Sequence, residues 1–167
     1  MKDCIVKPLT ANDSFEIRKI ARLSWMWTYR DIYTESFIED WIRKNYDTEK
    51  IKDDIARTHP GGDIIFYGSF IDNRLTGFIE TKITGVEAEI LRLYVLPDHT
   101  RMGIGTKLMD ETEKILLLRG VSSVKLYVHR MNTVGIGFYM KRMFRESEID
   151  GDDIKMEKYL VPRVYKP

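Results

Sequence analysis

EILRLYVLPDHTRMGIG, residues 89–105, is the most informative stretch of this sequence, because it joins an apolar strand, a turn marked by Pro97 and a glycine pair that opens a helix. A helix N-terminus presents unpaired backbone N–H groups and a partial positive charge. Gly103 and Gly105 carry no side chain, so a phosphate group can approach this backbone closely. The stretch therefore predicts a strand–turn–helix junction that binds an anionic group such as a pyrophosphate.

Two common glycine motifs do not fit this junction. A P-loop requires Gly-Lys-Ser/Thr at its end, whereas here Gly105 is followed by Thr106 and then Lys107. A dinucleotide-binding turn requires a third glycine where this chain has Leu108, and its first glycine follows the strand directly, whereas residues 97–102 intervene here. The sequence therefore does not predict a P-loop or a dinucleotide-binding site.

The residues around the junction alternate between strand and helix signals. Short links between three central strands predict an antiparallel meander, and the helices on either side of it predict a mixed α/β (α+β) sheet rather than a doubly wound parallel one. The predicted elements are a strand at 4–9, a helix from Asn12 or Asp13 to about Trp27, helical stretches from Thr34 and Thr48, strands at 63–71, 74–84 and about 88–95, a helix at 103–119 that Gly120 ends, a strand at 123–130, a helix at about 133–142 and strands near 144–149 and 154–160.

Composition limits the possible functions. A chain of 167 residues with 43% hydrophobic residues predicts one domain, residues 1–167, with a closed core. Its 27 basic and 26 acidic residues leave a charge of +1, which does not indicate binding to nucleic acid or to an anionic membrane. Asp3 and the short apolar runs predict a cytoplasmic protein without a signal peptide. The single Cys4 forms no internal disulfide, and His59, His99 and His129 lack metal-ligand spacing, so we expect no metal.

Two motifs resemble those of the GCN5-related N-acetyltransferase superfamily. The loop Thr100-Arg101-Met102-Gly103-Ile104-Gly105 is similar to its pyrophosphate loop, Arg/Gln-x-x-Gly-x-Gly/Ala, and NTVGIGFYMKRMF at 132–144 is similar to its Asn-x-x-Ala-x-x-Phe-Tyr-x-Lys-x-Gly-Phe pattern. More narrowly, WMWTYRDIYTESFIEDWI at 25–42 and LYVHRMN at 126–132 resemble PaiA-type spermidine/spermine N-acetyltransferases of archaea and bacteria. The resemblance implies a mostly antiparallel, twisted mixed sheet flanked by helices.

The resemblance also implies that acetyl-CoA is the cofactor and indicates which residues bind it. The pantetheine arm pairs like an added strand with the backbone of Leu93, Tyr94 and Val95. The pyrophosphate lies against Arg101, Met102, Gly103, Ile104, Gly105 and Thr106. Asn132 and Lys141 match cofactor-contacting positions, and Gly135 leaves room for the cofactor beside the helix.

Two positions depart from the superfamily pattern. Thr100 replaces the first Arg or Gln of the loop, so we expect backbone amides and Arg101 to bind the pyrophosphate. Met143 replaces the glycine that usually ends the second motif's helix in the left-handed conformation. This replacement predicts altered packing after the helix rather than altered chemistry.

Acetyl transfer from a thioester to an amine requires a general acid for the departing thiolate and a step that deprotonates the ammonium. Tyr139 is the predicted acid, because its place seven residues after Asn132 matches the superfamily motif. Glu89 matches the strand position of a catalytic glutamate in some superfamily members, and an ordinary solvated carboxylate is an equal interpretation of it. Glu80 is a second candidate base. We expect direct transfer in a ternary complex, since no cysteine matches a family nucleophile.

The acceptor is predicted from the N-terminal third of the chain. Trp27, Tyr29, Tyr33 and Glu35 combine aromatic faces with negative charge, which suits a flexible polycation through cation–π contacts and ion pairs. Aromatic residues at helical spacing are also typical of an ordinary core. With the PaiA resemblance, this composition favours a small polyamine as the acceptor amine.

Three alternatives remain open from the sequence. In the first alternative, the acceptor is a protein N-terminus or a lysine. In the second alternative, the protein is a non-catalytic sensor that binds acyl-CoA. The third concerns assembly: the apolar C-terminal residues either cover a homodimer surface or pack on their own domain. These residues are Leu160, Val161, Val164 and Tyr165.

Overall fold

The structure, a computed structural model, describes residues 3–161. Its helices and strands follow the predicted order, and most of their ends lie within two residues of the predicted ones. They are β1 (Cys4–Pro8), α1 (Ser14–Tyr29), α2 (Glu35–Asn45), α3 (Thr48–Ala56), β2 (Ile64–Ile71), β3 (Arg74–Thr84), β4 (Glu87–Val95), α4 (Ile104–Leu118), β5 (Ser123–His129), α5 (Thr133–Lys141), β6 (Arg145–Asp150) and β7 (Asp153–Tyr159).

Within the described residues, seven strands form one sheet in the order β1-β2-β3-β4-β5-β7-β6. Every neighbouring pair is antiparallel except β4 with β5, which is parallel. The hairpin between β2 and β3 turns at Asp72 and Asn73, whose φ angles of 50° and 62° are typical of a tight two-residue turn. The prediction of a mixed, mostly antiparallel sheet with a central meander is confirmed.

Apolar residues cover both faces of the sheet, and each face packs against its own helices. On one face α1, α2 and α3 bury Ile17, Ile38 and Ile51 against the strands. On the other face α4 buries Leu108 and Leu116 against the remaining core. The central strands are therefore fixed between two apolar layers, which holds their edges and side chains in a defined register.

A β-bulge in β4 lies next to the point where the pairing of β4 with its parallel neighbour β5 ends. The register of β3 against β4 shifts between Glu80 and Thr81, which leaves Leu91 without a counterpart on β3. An extra residue on one strand bends that strand and increases its twist. The pairing of β4 with β5 ends at Ile90, just before the bulge, although β5 continues to His129. The second half of β4 therefore pairs with β3 alone, and its edge toward β5 is free of backbone partners from the described residues.

The turn after α5 differs from the expectation that Met143 changes its packing. Met143 itself adopts the left-handed conformation, with φ 71°. Its N–H bonds to the Met140 carbonyl at 3.0 Å, and the Phe144 N–H bonds to the Tyr139 carbonyl at 3.1 Å, which is the Schellman pattern. These two hydrogen bonds hold a methionine in a conformation that favours glycine, so the usual turn geometry is retained.

The C-terminal residues divide between two environments. Leu160 is buried and its N–H bonds to the Ser122 carbonyl at 2.9 Å, so it packs on its own domain, whereas Val161 is exposed. Val164 and Tyr165 lie outside the described residues, and a homodimer through this segment stays a prediction. No helix within residues 3–161 has the length and apolar character needed to cross a membrane.

Candidate active site

The free edge of β4 contains the three residues predicted to pair with a pantetheine arm. Leu93 and Val95 pack against the core on the α4 side, and Tyr94 packs against the core on the α1 side. Since an extended chain can add to an exposed sheet edge through main-chain hydrogen bonds, the gap between β4 and β5 suits a slender, amide-containing ligand.

The glycine loop follows β4 and ends at the N-terminus of α4. Arg101 and Gly103 have φ angles of 62° and 77°, so the chain turns sharply twice before the helix begins. Among residues 3–161, no side chain caps the N-terminus of α4, and a Cβ added to Gly103 would have no neighbour within 4 Å. The first N–H groups of α4 therefore lack a capping side chain and are available to an anionic ligand. Thr100 instead donates its hydroxyl to the Pro97 carbonyl at 2.9 Å.

Gly105 has a different structural role from Gly103. A Cβ on Gly105 would lie 3.3 Å from the Phe138 ring of α5. This distance is tighter than ordinary van der Waals contact, so the glycine allows α4 and α5 to pack closely. Lys107 in the same turn reaches the Cys4 carbonyl at 3.2 Å and connects α4 to β1.

Asn132 and Gly135 form a capping unit at the N-terminus of α5. The Asn132 side-chain oxygen accepts a hydrogen bond from the Gly135 N–H at 2.9 Å. A Cβ on Gly135 would lie 2.7 Å from the Asn132 amide nitrogen, so glycine is needed for this cap. Cofactor contact by Asn132 and Gly135 stays a prediction, while Lys141 lies exposed in the last turn of α5.

Tyr139 lies in α5 and packs against the core on the α4 side of the sheet. Its ring contacts Phe138 and Phe144 edge-on, with centroid distances of 5.3 Å and 5.7 Å. Burial raises the pKa of Tyr139, and the nearby phenols of Tyr94 and Tyr29 raise it further. No side chain within residues 3–161 hydrogen-bonds to its hydroxyl. The group is therefore a protonated phenol that is available as a donor.

A hydrogen-bonded set of aromatic residues supports β4 beside this phenol. The Trp25 indole N–H donates to the Tyr94 hydroxyl at 3.0 Å, and the Tyr94 ring contacts the Tyr46 ring edge-on, with the centroids 6.3 Å apart. Burial raises the pKa of both Tyr94 and Tyr46, so both stay neutral. Tyr94 thus fixes the position of β4 at its free edge.

Six aromatic side chains lie in a continuous row on the α1 side of the sheet, which we call the aromatic wall. Neighbouring rings lie between 4.5 Å and 6.4 Å apart. The wall consists of Trp25, Tyr29, Tyr33, Phe37, Trp41 and His129.

His129 joins the aromatic wall to the end of β5. Its Nδ1 accepts a hydrogen bond from the Met131 N–H at 3.2 Å, which leaves the proton on Nε2. Nε2 lies 3.2 Å from the Tyr33 hydroxyl and donates to it. Sequence analysis predicted only that His129 binds no metal, because nothing in its spacing indicates that β5 ends opposite Tyr33.

The predicted acceptor residues separate into two groups. Tyr29 and Tyr33 belong to the aromatic wall. Trp27 is 56% exposed, and its ring lies 5.3 Å from the Arg30 guanidinium, outside the wall. Two residues along a helix point to nearly opposite sides, so Trp27 cannot share the direction of Trp25. Glu35 is exposed in the first turn of α2.

The two candidate bases lie in different environments. Glu89 is partly exposed, and its carboxylate lies 3.9 Å from the Lys125 ammonium. Glu80 is only 1% exposed and lies 3.0 Å from the Arg92 guanidinium. Burial raises the pKa of Glu80 to about 7, although Arg92 opposes that shift. Within residues 3–161, no group of three or more His, Cys, Asp or Glu side chains could hold a metal ion.

Comparison with known proteins agrees with this geometry. Residues 26–144 match the family model described as Acetyltransferase (GNAT) family. The chain therefore belongs to the GNAT family, and it is an N-acetyltransferase that uses acetyl-CoA. The open β4 edge and the uncovered N-terminus of α4 fit the arm and the pyrophosphate of this cofactor.

Two comparisons find similarity along nearly the whole chain. The chain is 45% identical to the spermidine N(1)-acetyltransferase of Thermoplasma acidophilum over 153 residues, 92% of this chain and 95% of that protein. The crystal structure of PaiA N-acetyltransferase from the same organism, in complex with coenzyme A, is also similar to this structure, with a TM-score of 0.92. The two sequences are 44% identical, and the match covers 94% of this chain and 99% of that one.

A third relative matches half of the chain. The [ribosomal protein bS18]-alanine N-acetyltransferase of Salmonella typhimurium is 32% identical over 47% of this chain and 53% of that protein.

Proposed function

We propose that the protein is a cytoplasmic enzyme that acetylates a primary amine of a small polyamine, such as spermidine or spermine, by direct transfer in a ternary complex. The similarity to a spermidine acetyltransferase along nearly the whole chain carries this proposal. The aromatic wall supports it, since aromatic faces attract the ammonium groups of a flexible polycation.

Acetyl-CoA supplies an activated acetyl group when it is bound. The backbone of Leu93, Tyr94 and Val95 pairs with its pantetheine arm and directs the thioester carbonyl toward a backbone N–H. The loop from Arg101 to Thr106 holds the pyrophosphate through the N–H groups of α4 and the Arg101 side chain. Asn132, Gly135 and Lys141 complete the contacts from α5.

Tyr139 acts as the general acid. The amine nitrogen would form a bond to the thioester carbonyl carbon, and the carbon–sulfur bond would break with its electron pair on sulfur. Tyr139 would donate its proton to that sulfur and would be reprotonated by the proton that the acylated nitrogen loses. The burial that raises its pKa keeps the proton on Tyr139 at neutral pH.

Glu89 acts as the general base. It lies four residues before Leu93 on β4, roughly 13 Å along the strand. Because of this distance, a chain of water molecules carries the proton of the acceptor ammonium to it. The nearby Lys125 ammonium keeps the carboxylate in a positive field. Tyr29 and Tyr33 bind the acceptor through their ring faces, while the places of Trp27 and Glu35 outside the aromatic wall give them at most an outer role.

One assay tests the acceptor. Release of free thiol from acetyl-CoA is measured with spermidine, spermine, putrescine, aminoglycosides and N-terminal peptides side by side. We expect the polyamines to have the highest kcat/KM. A higher value for a peptide would instead support the protein acetyltransferase alternative, which the partial similarity to the ribosomal-protein enzyme favours. Binding of acetyl-CoA without thiol release with any amine would support the sensor alternative.

A further inference from the structure

The gap between β4 and β5 places His129 about level with Leu93. The last paired residues of these two parallel strands are Ile90 and Leu126, and Leu93 and His129 each follow three residues later. Since a strand rises about 3.3 Å per residue, both residues lie roughly 10 Å beyond the last pair. His129 therefore lies across the gap from the backbone to which the proposed function assigns the end of the pantetheine arm.

The backbone groups of Leu93 point into this gap. The Leu96 N–H bonds to the Thr76 carbonyl on β3 at 2.8 Å, so Leu96 belongs to a hydrogen-bonded pair of the two strands. Hydrogen-bonded and non-hydrogen-bonded residues alternate along an antiparallel strand, so the N–H and C=O of Leu93 face away from β3. A thioester carbonyl bound at Leu93 would then lie between the two strands, with His129 on the far side.

The side chain of His129 lies on the α1 side of the sheet. Its neighbour Val128 packs in the core on the α4 side, and successive side chains of a strand point to opposite faces. The His129 ring contacts the rings of Tyr29 and Tyr33 edge-on, each with the centroids 5.8 Å apart. His129 thus connects the gap between the strands with the aromatic wall.

Two contacts fix the ring of Tyr33 in this wall. Phe37 stacks against it at a centroid distance of 4.5 Å, and His129 Nε2 donates to its hydroxyl, 3.2 Å away. Within residues 3–161, no other side chain hydrogen-bonds to this hydroxyl. The face of a phenol ring attracts an ammonium and the edge does not, so the orientation of the ring decides whether Tyr33 attracts a cation.

The charge beside His129 favours a cation. Asp153 lies directly opposite His129 on β7 and forms no ion pair within the described residues. Burial raises the pKa of Tyr29, and the negative charge of Asp153 raises it further, so the field of this carboxylate reaches the aromatic wall. The cations next to these residues along their strands are already ion-paired: Arg130 with Asp152 at 2.9 Å and Lys155 with Glu157 at 2.6 Å.

We propose that His129 is a positioning residue for the acceptor: it holds Tyr33 so that the face of the phenol ring binds the acceptor ammonium beside the thioester. The inference rests on the proposed polyamine acetyltransferase function and adds to it a residue that determines acceptor affinity. His129 exchanges no proton with the acceptor, because its Nδ1 accepts the Met131 N–H and its Nε2 proton is donated to Tyr33.

Two substitutions at His129 separate this role from a purely structural one. His129→Gln places an amide N–H near the position of Nε2 and keeps the donor to Tyr33, whereas His129→Asn keeps only an acceptor near Nδ1 for the Met131 N–H. We expect His129→Asn to raise KM for spermidine about threefold to tenfold, with little change in kcat or in KM for acetyl-CoA. His129→Gln should keep KM for spermidine within about twofold of the wild-type value, because the hydrogen bond is retained.

Tyr33→Phe completes a double-mutant cycle with His129→Asn. Phenylalanine keeps the ring and removes the hydroxyl, so KM for spermidine should rise as it does in His129→Asn. The double variant should be no worse than either single variant, because both remove the same hydrogen bond. Tyr127→Phe, which removes an exposed hydroxyl from the same face of β5, is the matched control and should leave this KM unchanged.

Other outcomes would overturn the inference. A KM for spermidine that rises in His129→Gln and not in His129→Asn would give His129 a structural role at Met131 instead. An unchanged KM in His129→Asn, or additive effects in the double variant, would also exclude the positioning role. If His129→Asn fails to fold, Tyr33→Phe decides by the same KM. If the wild type turns over no polyamine, the proposed function fails, and the variants are then measured with the amine that reacts fastest: an unchanged KM for that amine overturns the inference as well.

Discussion

Replacing Gly103 with alanine separates the backbone strain of the glycine loop from its contact with the cofactor. Gly103 has φ 77°, so an alanine there costs about 1 kcal/mol of folding free energy, which lowers the Tm by about 2–4 °C in a protein of this size. The added Cβ meets no atom of the described residues within 4 Å, so it would occupy open space at the residue that precedes α4. If a phosphate lies there, one charged hydrogen bond is lost, about 1.5–3 kcal/mol, and the Kd for coenzyme A rises at least about tenfold.

Gly85→Ala is the matched control. Gly85 has φ 62° in the turn between β3 and β4, and its added Cβ also meets no atom within 4 Å. Both variants should therefore lose similar stability in thermal unfolding, while only Gly103→Ala should lose affinity in calorimetric titration with coenzyme A. Equal coenzyme A affinities for the two variants would refute the assignment of the pyrophosphate to this loop.

Three further predictions concern single side chains. Met143→Gly should raise the Tm, because glycine relieves about 1 kcal/mol of left-handed strain, whereas Met140→Gly, one turn earlier in α5, should lower the Tm. Tm changes of the same sign in both variants would contradict the presence of strain at Met143. Tyr139→Phe should lower kcat and leave coenzyme A affinity intact, and unchanged turnover would exclude Tyr139 as the acid. Because the pKa of this phenol is raised, its ionisation should cause no loss of wild-type activity at any pH below 10. Arg101→Ala should weaken coenzyme A binding, most strongly at low salt, and an unchanged Kd would count against its role.

Much of the fold was predictable from the sequence because its signals are local. Apolar periodicity and the glycines at helix ends depend on near neighbours along the chain, so the elements and the meander were correct. The left-handed Met143 was not expected, since only the two hydrogen bonds of the α5 C-terminus hold it there. In the same way, the sequence motif matched Gly135 to a cofactor position, but in the structure the lack of a Cβ at Gly135 makes room for the Asn132 side chain that caps α5.

The sequence alone determined the family, the cofactor class and the loop that meets α4, because these are encoded in short motifs with fixed spacing. Only the tertiary structure brought His129 against Tyr33, removed Trp27 from the aromatic wall and buried Glu80 against Arg92. The physical reason is that burial and the alignment of donors depend on side chains far apart in the chain. The register shift at Leu91 is one such long-range feature. The pairing of β4 with β5 ends next to it, and the end of this pairing leaves the edge of β4 open.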